Sequence, residues 1–462
     1  MRNKMSIMFI LLLSVALVLS ACGGNNTPAN SGGGTNTPAG TNGGNTGGDS
    51  EPVAEAPKEL EGTLEIWTFD DNGTQKLADG FTAKYPKVTI NVTNPGWFEL
   101  PDNLQTTIAA GSGAPDVAYI EGSMFLRFNN SEGLEDLLQP PYDAGRYQND
   151  FTKGNWDRWL SLDGTKLIGM PWDMPPMATF YRPDILEEAG YPSDPEELAQ
   201  YLQNVDNLLE LGQALKARDI SLFEFNNTPM DLLTAKTGFF DRNFNYLRNT
   251  DEFARHLDIV KQVRQLGLAL NQSAFWSDEG QAATSTGKLA MVFYGPWING
   301  QIQGLGDDQL GKWKATALPL GQYAGNGGST MVIPSQGKNK ELAWAFVEWS
   351  LASLEGNDIY INNGGQPGFI PAWDSPLFQE ARYPVLGDQN ANAIFADLMK
   401  QTDEAWLPTP LNDTANAIWG EKLNEAVEKN MDSKAALQQI EEDIMRAVSV
   451  DLEKLKSELG IQ

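Results

Sequence analysis

Apolar and polar residues follow a strand, helix, strand order along the chain after about residue 60. Residues 64–67 and the alternating apolar positions of residues 88–92 predict two strands, and residues 74–85 between them predict a helix that ends before Pro86. Residues 104–110 and 117–120 continue the order as a helix and a third strand. This alternation predicts an α/β lobe with a largely parallel sheet.

A second apolar region, near the middle of the chain, contains two short strands separated by a proline-rich turn. Residues 167–170 and 178–181 predict buried strands, and prolines such as Pro175 exclude an ordinary helix between them. Trp172 and Asp173 lie between the predicted strands and have no evident role in a core, so Asp173 is predicted to contact a ligand at this crossing. The region is therefore interpreted as a wall between two lobes.

Later segments have the spacing of helices. Residues 194–218 and 250–268 predict helices of the second lobe, with Asp194 and Thr250 as N-caps. A strand at residues 330–333 and a helix over 338–351 follow. The last segment predicts a helix after an Asp432 cap, because a core-facing stripe recurs every three or four residues at Leu437, Ile440, Ile444, Val448, Leu452 and Leu455.

The composition of the chain excludes several classes of partner and of catalytic site. The 462 residues include 33 basic and 61 acidic side chains, for a net charge of −28, which argues against nucleic acid or an anionic lipid surface as the partner. His256 is the only histidine and Cys22 the only cysteine, which excludes a histidine-based triad or a multi-histidine metal site. A glycosidase needs only two carboxylates, so a carbohydrate-active enzyme using Asp70, Asp71, Glu121 or Asp173 is the alternative to a binding protein.

The amino terminus has the features of an export signal. Arg2 and Lys4 precede an apolar run, and Leu-Ser-Ala leads into Cys22. This sequence matches the bacterial lipobox, so we expect a signal peptide over residues 1–21 and a lipid on Cys22; the alternative is a plain cleavable signal with an incidental cysteine. Residues 22–60 follow as a flexible tether, uncharged from 23 to 48, whose length is typical of a Gram-positive cell envelope.

Two places near strand ends suggest a ligand site. Phe69 and Asp70 directly follow the first predicted strand, and Glu121 follows the third. Ligands of α/β sheets gather at the carboxyl ends of strands, so these three residues are predicted to contact a ligand.

Four motifs in a fixed order carry a resemblance to a known family. They are a Pro-x-Asp turn and strand at residues 171–183, an Ala-Gly and Pro-Asp turn at 108–120, a Gly-x-x-Ala-Met strand with Gly-Pro-Trp at 287–297, and a Leu-Pro, Gly-Gly, strand and helix series at 318–349. Together they resemble the family 1 extracellular solute-binding proteins of ATP-driven (ABC) importers, the maltose-binding-protein-like group. The second strand of the turn motif ends in Tyr181-Arg182-Pro183, where the family has Tyr-Asn-Lys.

The resemblance implies a periplasmic-binding-protein-like type II fold, with two discontinuous α/β lobes and a ligand cleft between them. The N-terminal lobe would comprise residues 61–172 and 321–371, and the C-terminal lobe residues 173–320 and 372–462. It also implies ligand contacts at Gly328, in the glycine turn, and at Trp297, after Gly-Pro.

Tryptophans are the most informative candidate ligand residues, because flat aromatic faces pack against the C–H faces of sugar rings. Trp297 is predicted to be a stacking platform for a sugar ring. For Trp172 the sequence leaves two roles open, contact with the ligand and packing in the core. Trp373 and Trp406 lie near predicted crossings between the lobes and would either bind ligand or attach a loop to the surface. For Trp97 the sequence leaves the same two roles open.

One further pattern resembles a calcium-binding loop. Oxygen donors recur at alternate positions and continue into the next helix, but position six of the loop is Tyr246, where an EF-hand has glycine. A structural calcium ion is the only cofactor predicted, with the ligands Asp241, Asn243, Asn245, Leu247 through its carbonyl, Asn249 and Glu252.

The sequence therefore predicts a substrate-binding lipoprotein and not an enzyme. It is expected to act as a monomer on the outer face of the cell membrane, to capture an oligosaccharide by closing two lobes, and to deliver it to the permease of an ABC transporter.

Overall fold

The computed structural model describes residues 59–325, 327–402 and 409–461. The predicted signal peptide, Cys22 and most of the tether lie outside these residues, as does Trp406. Within the described ranges, no helix is both long and apolar enough to cross a bilayer.

Eight strands in the described part of the chain form two sheets. The first sheet has the order β2-β1-β3-β8-β4 and the second has the order β6-β5-β7. The strands are β1 Gly62–Trp67, β2 Val88–Thr93, β3 Val117–Glu121, β4 Met170–Asp173, β5 Ala178–Tyr181, β6 Met291–Tyr294, β7 Lys314–Thr316 and β8 Ser329–Val332.

Helices surround both sheets and make up most of the regular structure. The helices are α1 Asp71–Lys84, α2 Glu99–Ala110, α3 Gly122–Phe125, α4 Lys153–Arg158, α5 Pro183–Ala189, α6 Pro195–Tyr201, α7 Val205–Lys216, α8 Thr228–Lys236, α9 Asp251–Leu266, α10 Asp278–Ser285, α11 Ile298–Gly304, α12 Lys340–Ala352, α13 Leu354–Asn362, α14 Pro376–Glu380, α15 Ala391–Gln401, α16 Asn412–Glu428 and α17 Ser433–Leu459. Short 3-10 helices are Ala144–Asp150, Asp307–Gln309, Pro319–Gly321, Ile370–Asp374 and Pro384–Leu386.

The first sheet is largely parallel, as predicted. β1 pairs in parallel with β2 and β3, while β8 runs antiparallel to both β3 and β4. Ile66, Ile120 and Val332 are fully buried on this sheet, and Phe81 of α1 and Phe346 of α12 are buried in the same core. The helices therefore cover the sheet and leave the ends of its strands open to other contacts.

The second sheet is small and antiparallel, with β5 between β6 and β7. The predicted stripe of α17 is confirmed, because all six of its apolar residues are buried. They pack in one core with α9 and α16, which includes Phe253 and Trp419. Asp432 caps α17 by accepting a hydrogen bond from the Ala435 N–H at 3.0 Å.

The chain passes between the two sheets at least twice. It leaves the first sheet at Asp173 and enters the second at Ala178, and it returns between Thr316 and Ser329. Two discontinuous lobes of the type II fold result. The exact lobe boundaries given above stay a prediction.

Several expected elements differ in detail from the structure. The strand predicted at residues 167–170 is β4, Met170–Asp173, so Trp172 and Asp173 belong to the strand and not to the turn. The helix predicted over residues 194–218 is two helices, because Asn204 starts α7 by accepting from the Asp206 N–H at 2.8 Å. Helix α1 begins three residues early, since Asp70 accepts from the Gly73 N–H at 3.0 Å.

Candidate ligand-binding cleft

Two of the predicted ligand residues follow neighbouring strands at the carboxyl edge of the first sheet. Trp67 of β1 pairs with Ala118 of β3. Asp70 and Glu121 each follow their member of this pair by three residues. Neighbouring strands lie about 4.8 Å apart, which places the two acids at adjacent strand ends. Glu121 caps α3 by accepting from the Ser123 N–H at 2.8 Å, as Asp70 caps α1. Each carboxylate is therefore held at the N-terminus of the helix that follows its strand.

A cleft of about 850 Å³ opens between the lobes at this edge. Asp70 and Asn72 line it from the first lobe, Trp297 and Asn299 line it from the second, and Tyr360 of α13 lies at its wall. The structure thus brings the predicted platform, Trp297, to the same cleft as Asp70. A cleft with one indole and several polar groups suits a ligand that has both apolar faces and hydroxyls.

Trp297 belongs to an aromatic cluster on the second lobe. Its side chain is 42% exposed, and its ring centroid lies 5.5 Å from Tyr294 and 6.2 Å from Trp276. Trp276 is 57% exposed. Trp276 was not predicted to be a ligand residue, because it stands beside serine and aspartate in a loop that has no helical or strand periodicity.

The first lobe also presents aromatic side chains near the cleft. Phe69 is half-buried and packs edge-on against Trp97 at 4.9 Å and Tyr119 at 6.3 Å. Trp97 is 43% exposed. Trp97 packs on the residue that precedes Asp70, and the choice between its two predicted roles stays open.

A second pocket, of about 500 Å³, contains Glu121 and lies between the lobes. Arg158 and Arg248 are buried in its wall, and Asp231 is exposed in it. Arg158 donates to the Gly327 carbonyl at 2.6 Å, and burial lowers the pKa of its guanidinium while Glu121 and Asp173 oppose that change. Both arginines and Asp231 were missed from the sequence, because nothing local distinguishes them from surface charges.

Arg248 is held by three groups. Its Nε and Nη2 atoms donate to the Thr237 carbonyl at 3.0 and 2.9 Å, and the guanidinium lies 3.7 Å from the ring centroid of Phe239 and 5.1 Å from that of Trp419. These contacts leave little freedom to the side chain. The second pocket therefore offers rigid donors from Arg248 and acceptors from Glu121 and Asp231, which together suit hydroxyl groups.

Asp173 was predicted to contact ligand, but its carboxylate is 9% exposed and occupied by protein groups. It accepts hydrogen bonds from the Ser329 N–H at 2.7 Å and from the Tyr360 hydroxyl. Asp173 ends β4 where the chain leaves the first sheet, and Ser329 begins β8 where it returns. The carboxylate therefore connects both crossings with the wall of the cleft.

Two neighbours of Asp173 are also structural. Trp172 is buried and packs at 4.9 Å from both Tyr119 and Tyr360, so the alternative of a core role is supported. Gly328 has a positive φ of 106°, and a Cβ there would lie 3.1 Å from the Asp173 carbonyl oxygen. Its own carbonyl accepts from the Gly122 N–H at 2.9 Å. Gly328 thus allows β3, β4 and β8 to approach closely.

Burial gives Asp173 a measurable pH signature. Loss of solvation raises the pKa of Asp173 to about 6, despite the opposing hydrogen bonds from Tyr360 and Ser329 and the charge of Arg158. The native state therefore holds this proton more tightly than the unfolded state, and the contribution of Asp173 to stability falls as pH rises from about 4 to about 6. One unit of pKa corresponds to about 1.4 kcal/mol.

Asp173→Asn removes this titration while leaving one acceptor for Ser329 and one donor for Tyr360. We expect the free energy of unfolding of the variant to rise relative to wild type by about 3 kcal/mol between pH 4 and pH 6.5, and then to stay level. Urea denaturation of both proteins at four pH values measures it. A difference between the two proteins that does not vary with pH would contradict the buried, titrating carboxylate.

Trp373 also has a structural role. Its side chain is 4% exposed, and its indole N–H donates to the Pro367 carbonyl at 2.7 Å. Of the two roles predicted for Trp373, the structure supports attachment of a loop. Trp406, the other tryptophan of that pair, lies outside the described residues.

The predicted calcium loop is held by its own amides. The Asp241 carboxylate accepts from the N–H groups of Asn243 and Asn245, both at 2.8 Å. Asn249 donates to Glu441, and the Glu252 carboxylate lies 3.5 Å from the Lys236 ammonium. In the described ranges no group of three or more His, Cys, Asp or Glu side chains is placed to hold a metal. Because the expected ligands also include amides and a carbonyl, calcium binding stays a prediction, for which elemental analysis is the direct test.

Comparison with known proteins agrees with the two lobes and the cleft. The family model of the bacterial extracellular solute-binding proteins matches residues 70–353. The chain therefore belongs to the bacterial extracellular solute-binding protein family, the class found with ABC importers, and the resemblance seen in its sequence motifs is confirmed. The protein is accordingly extracellular.

Individual relatives cover most of the chain. The arabinooligosaccharide-binding protein of Bacillus subtilis (strain 168) is 24% identical over 424 residues, which are 87% of this chain and 89% of the relative. The lactose-binding protein of Rhizobium radiobacter is 26% identical over 361 residues, 74% of this chain and 82% of the relative. A solved family 1 extracellular solute-binding protein superimposes with a TM-score of 0.71 at 23% identity, covering 83% of this chain and 99% of its own, which shows the fold.

Proposed function

We propose that this protein binds a carbohydrate, an oligosaccharide, between its two lobes and delivers it to the permease of an ABC importer. The observation that carries the proposal is the cleft in which the half-exposed Trp297 lies opposite Asp70 and Asn72. The indole offers a face to the C–H side of a sugar ring, and the carboxylate and amide offer partners to its hydroxyls. The names of the arabinooligosaccharide-binding and lactose-binding relatives support the same ligand class.

Binding is proposed to close the lobes by a hinge motion at the crossings. A ligand favours the closed state only through contacts that the open state lacks. Trp297 and Asp70 belong to different lobes. A sugar can therefore contact both residues at once only when the lobes approach each other. No covalent step is part of this mechanism.

A screen of purified protein against neutral saccharides tests this function. The panel comprises arabinooligosaccharides, lactose, galactooligosaccharides and maltooligosaccharides, with binding followed by titration calorimetry and any hydrolysis by chromatography. We expect binding of at least one series without cleavage. Cleavage of the bound saccharide would instead favour the alternative, an enzyme that uses carboxylates such as Asp70 and Glu121, and no binding to any member would contradict the proposal.

We further propose that Cys22 carries a lipid that anchors the protein outside the cell membrane. The support is the Leu-Ser-Ala-Cys sequence and the uncharged residues behind it. Cys22→Ser has no thiol for the lipid, so it should be released into the medium or retained as uncleaved precursor. Cell fractionation and mass spectrometry measure this, with Ser31→Ala in the tether as control. An identical membrane-bound, processed form of Cys22→Ser and wild type would contradict the anchor.

A further inference from the structure

Trp276 is an exposed tryptophan on the second lobe with no role in the contacts proposed above. It precedes α10 in a loop and packs against Tyr294 at 5.6 Å, Phe275 at 6.0 Å and Trp297 at 6.2 Å. These neighbours cover only part of it, since 57% of the residue stays exposed. A tryptophan exposed to this degree, and next to a cleft, has an apolar face that another molecule can cover.

The planes of Trp276 and Trp297 are inclined by 45°. The two indoles therefore lie next to each other at an angle on the second lobe, and Trp297 of the pair lines the cleft. Consecutive units of an oligosaccharide are themselves turned relative to one another about the glycosidic bond. Two inclined faces at this separation suit two successive sugar rings better than one.

A single buried carboxylate holds this surface in place. The side chain of Glu224 accepts from the Ala274 N–H at 2.7 Å and from the Tyr294 hydroxyl at 2.6 Å, and its backbone carbonyl accepts from the Asn271 N–H at 2.7 Å. Glu224 thus fixes both the loop that carries Trp276 and the strand end that precedes Trp297. Such fixing lowers the entropy that the aromatic side chains lose when a ligand binds.

We propose that Trp276 forms a second sugar-stacking position beside Trp297, so that the second lobe holds two consecutive units of an oligosaccharide, with Glu224 as a positioning residue. The inference rests on the proposed function and adds the length of the ligand to it. The flat faces bind a chain that continues out of the cleft past Trp297. Shorter saccharides fill the position at Trp297 and leave Trp276 uncovered.

Chain length gives the test. Arabinooligosaccharides, galactooligosaccharides and maltooligosaccharides of two to six units are titrated into wild type, Trp276→Ala, Trp276→Phe and Trp297→Ala. For the series that binds, we expect Trp276→Ala to weaken binding of the longer members about tenfold and of the shortest member less than twofold. Trp276→Phe, which keeps a flat ring, should retain most of the affinity, whereas Trp297→Ala should weaken binding at every length.

Glu224→Ala tests the positioning role, because it removes the acceptors of both side-chain hydrogen bonds, whereas Glu224→Gln keeps an acceptor for the Ala274 N–H and should retain most of the affinity. Because Glu224 holds both the loop of Trp276 and the strand end before Trp297, we expect Glu224→Ala to weaken every length, and the longer members more than the shortest. An equal loss at all lengths, or no loss, would contradict the positioning of Trp276 by Glu224. If Trp276→Ala binds every length as wild type does, the second stacking position is wrong while the proposed function stands. If wild type binds none of the three series, both fail together.

Discussion

Trp297→Ala is expected to weaken carbohydrate binding about thirtyfold or more, a loss on the order of 2 kcal/mol. The indole is 42% exposed in the free protein and lines the cleft opposite Asp70. A bound sugar ring would cover that exposed face. Removing the indole therefore removes apolar surface that becomes buried only when the ligand binds. Titration calorimetry of the purified protein with the saccharide found in the screen measures the effect.

The fold should tolerate this substitution, because Trp297 precedes α11 at the surface and its loss leaves no closed cavity. The melting temperature of Trp297→Ala should therefore stay within a few degrees of wild type. Val450→Ala, an exposed residue on α17, is a control far in sequence from the cleft residues. Unchanged affinity of Trp297→Ala for the bound saccharide would remove this residue from the site.

Trp373→Ala is expected to act on stability instead, lowering the free energy of unfolding by about 3–5 kcal/mol. The side chain is 4% exposed, in the core of the first lobe, and its N–H is satisfied by the Pro367 carbonyl. Truncation would open a cavity and leave that carbonyl without its partner. Urea denaturation measures the loss, and Trp373→Phe, which keeps a ring without the N–H, should lose less.

Ligand affinity separates this interpretation from a direct contact. At a temperature where Trp373→Ala is still folded, it should bind saccharide about as tightly as wild type. Normal stability together with lost affinity would make Trp373 a ligand residue after all.

The sequence predicted those parts of the site that depend on the order of elements. Asp70 and Glu121 follow strands, and the ends of parallel strands meet at one edge whatever the details of packing. The platform at Trp297 was likewise predicted from its place after a strand and a Gly-Pro turn. These positions are set by short-range patterns, so a single sequence contains the necessary information.

Exposure of individual side chains was less predictable. Trp297 and Trp373 both follow turns containing glycine and proline, yet one is half-exposed and the other is buried under the first lobe. Asp173 looked like a ligand residue because it has no periodic partner, but Ser329 and Tyr360 reach it from 156 and 187 residues away. Contacts over such separations depend on the packed fold and leave no local pattern.

The position of Asp173 at the crossings allows the affinity for all saccharides to change without a change in selectivity. Because Asp173 lies where the chain crosses between the lobes, we expect a substitution there to change the balance between open and closed states. When only the closed state completes the site, the apparent dissociation constant scales inversely with its population. Every saccharide would then gain or lose affinity by one common factor, and the order of preference would be preserved. Trp276→Ala, which is expected to weaken the longer saccharides more than the shortest, would reorder the preferences instead, whereas Trp297→Ala would weaken binding at every length.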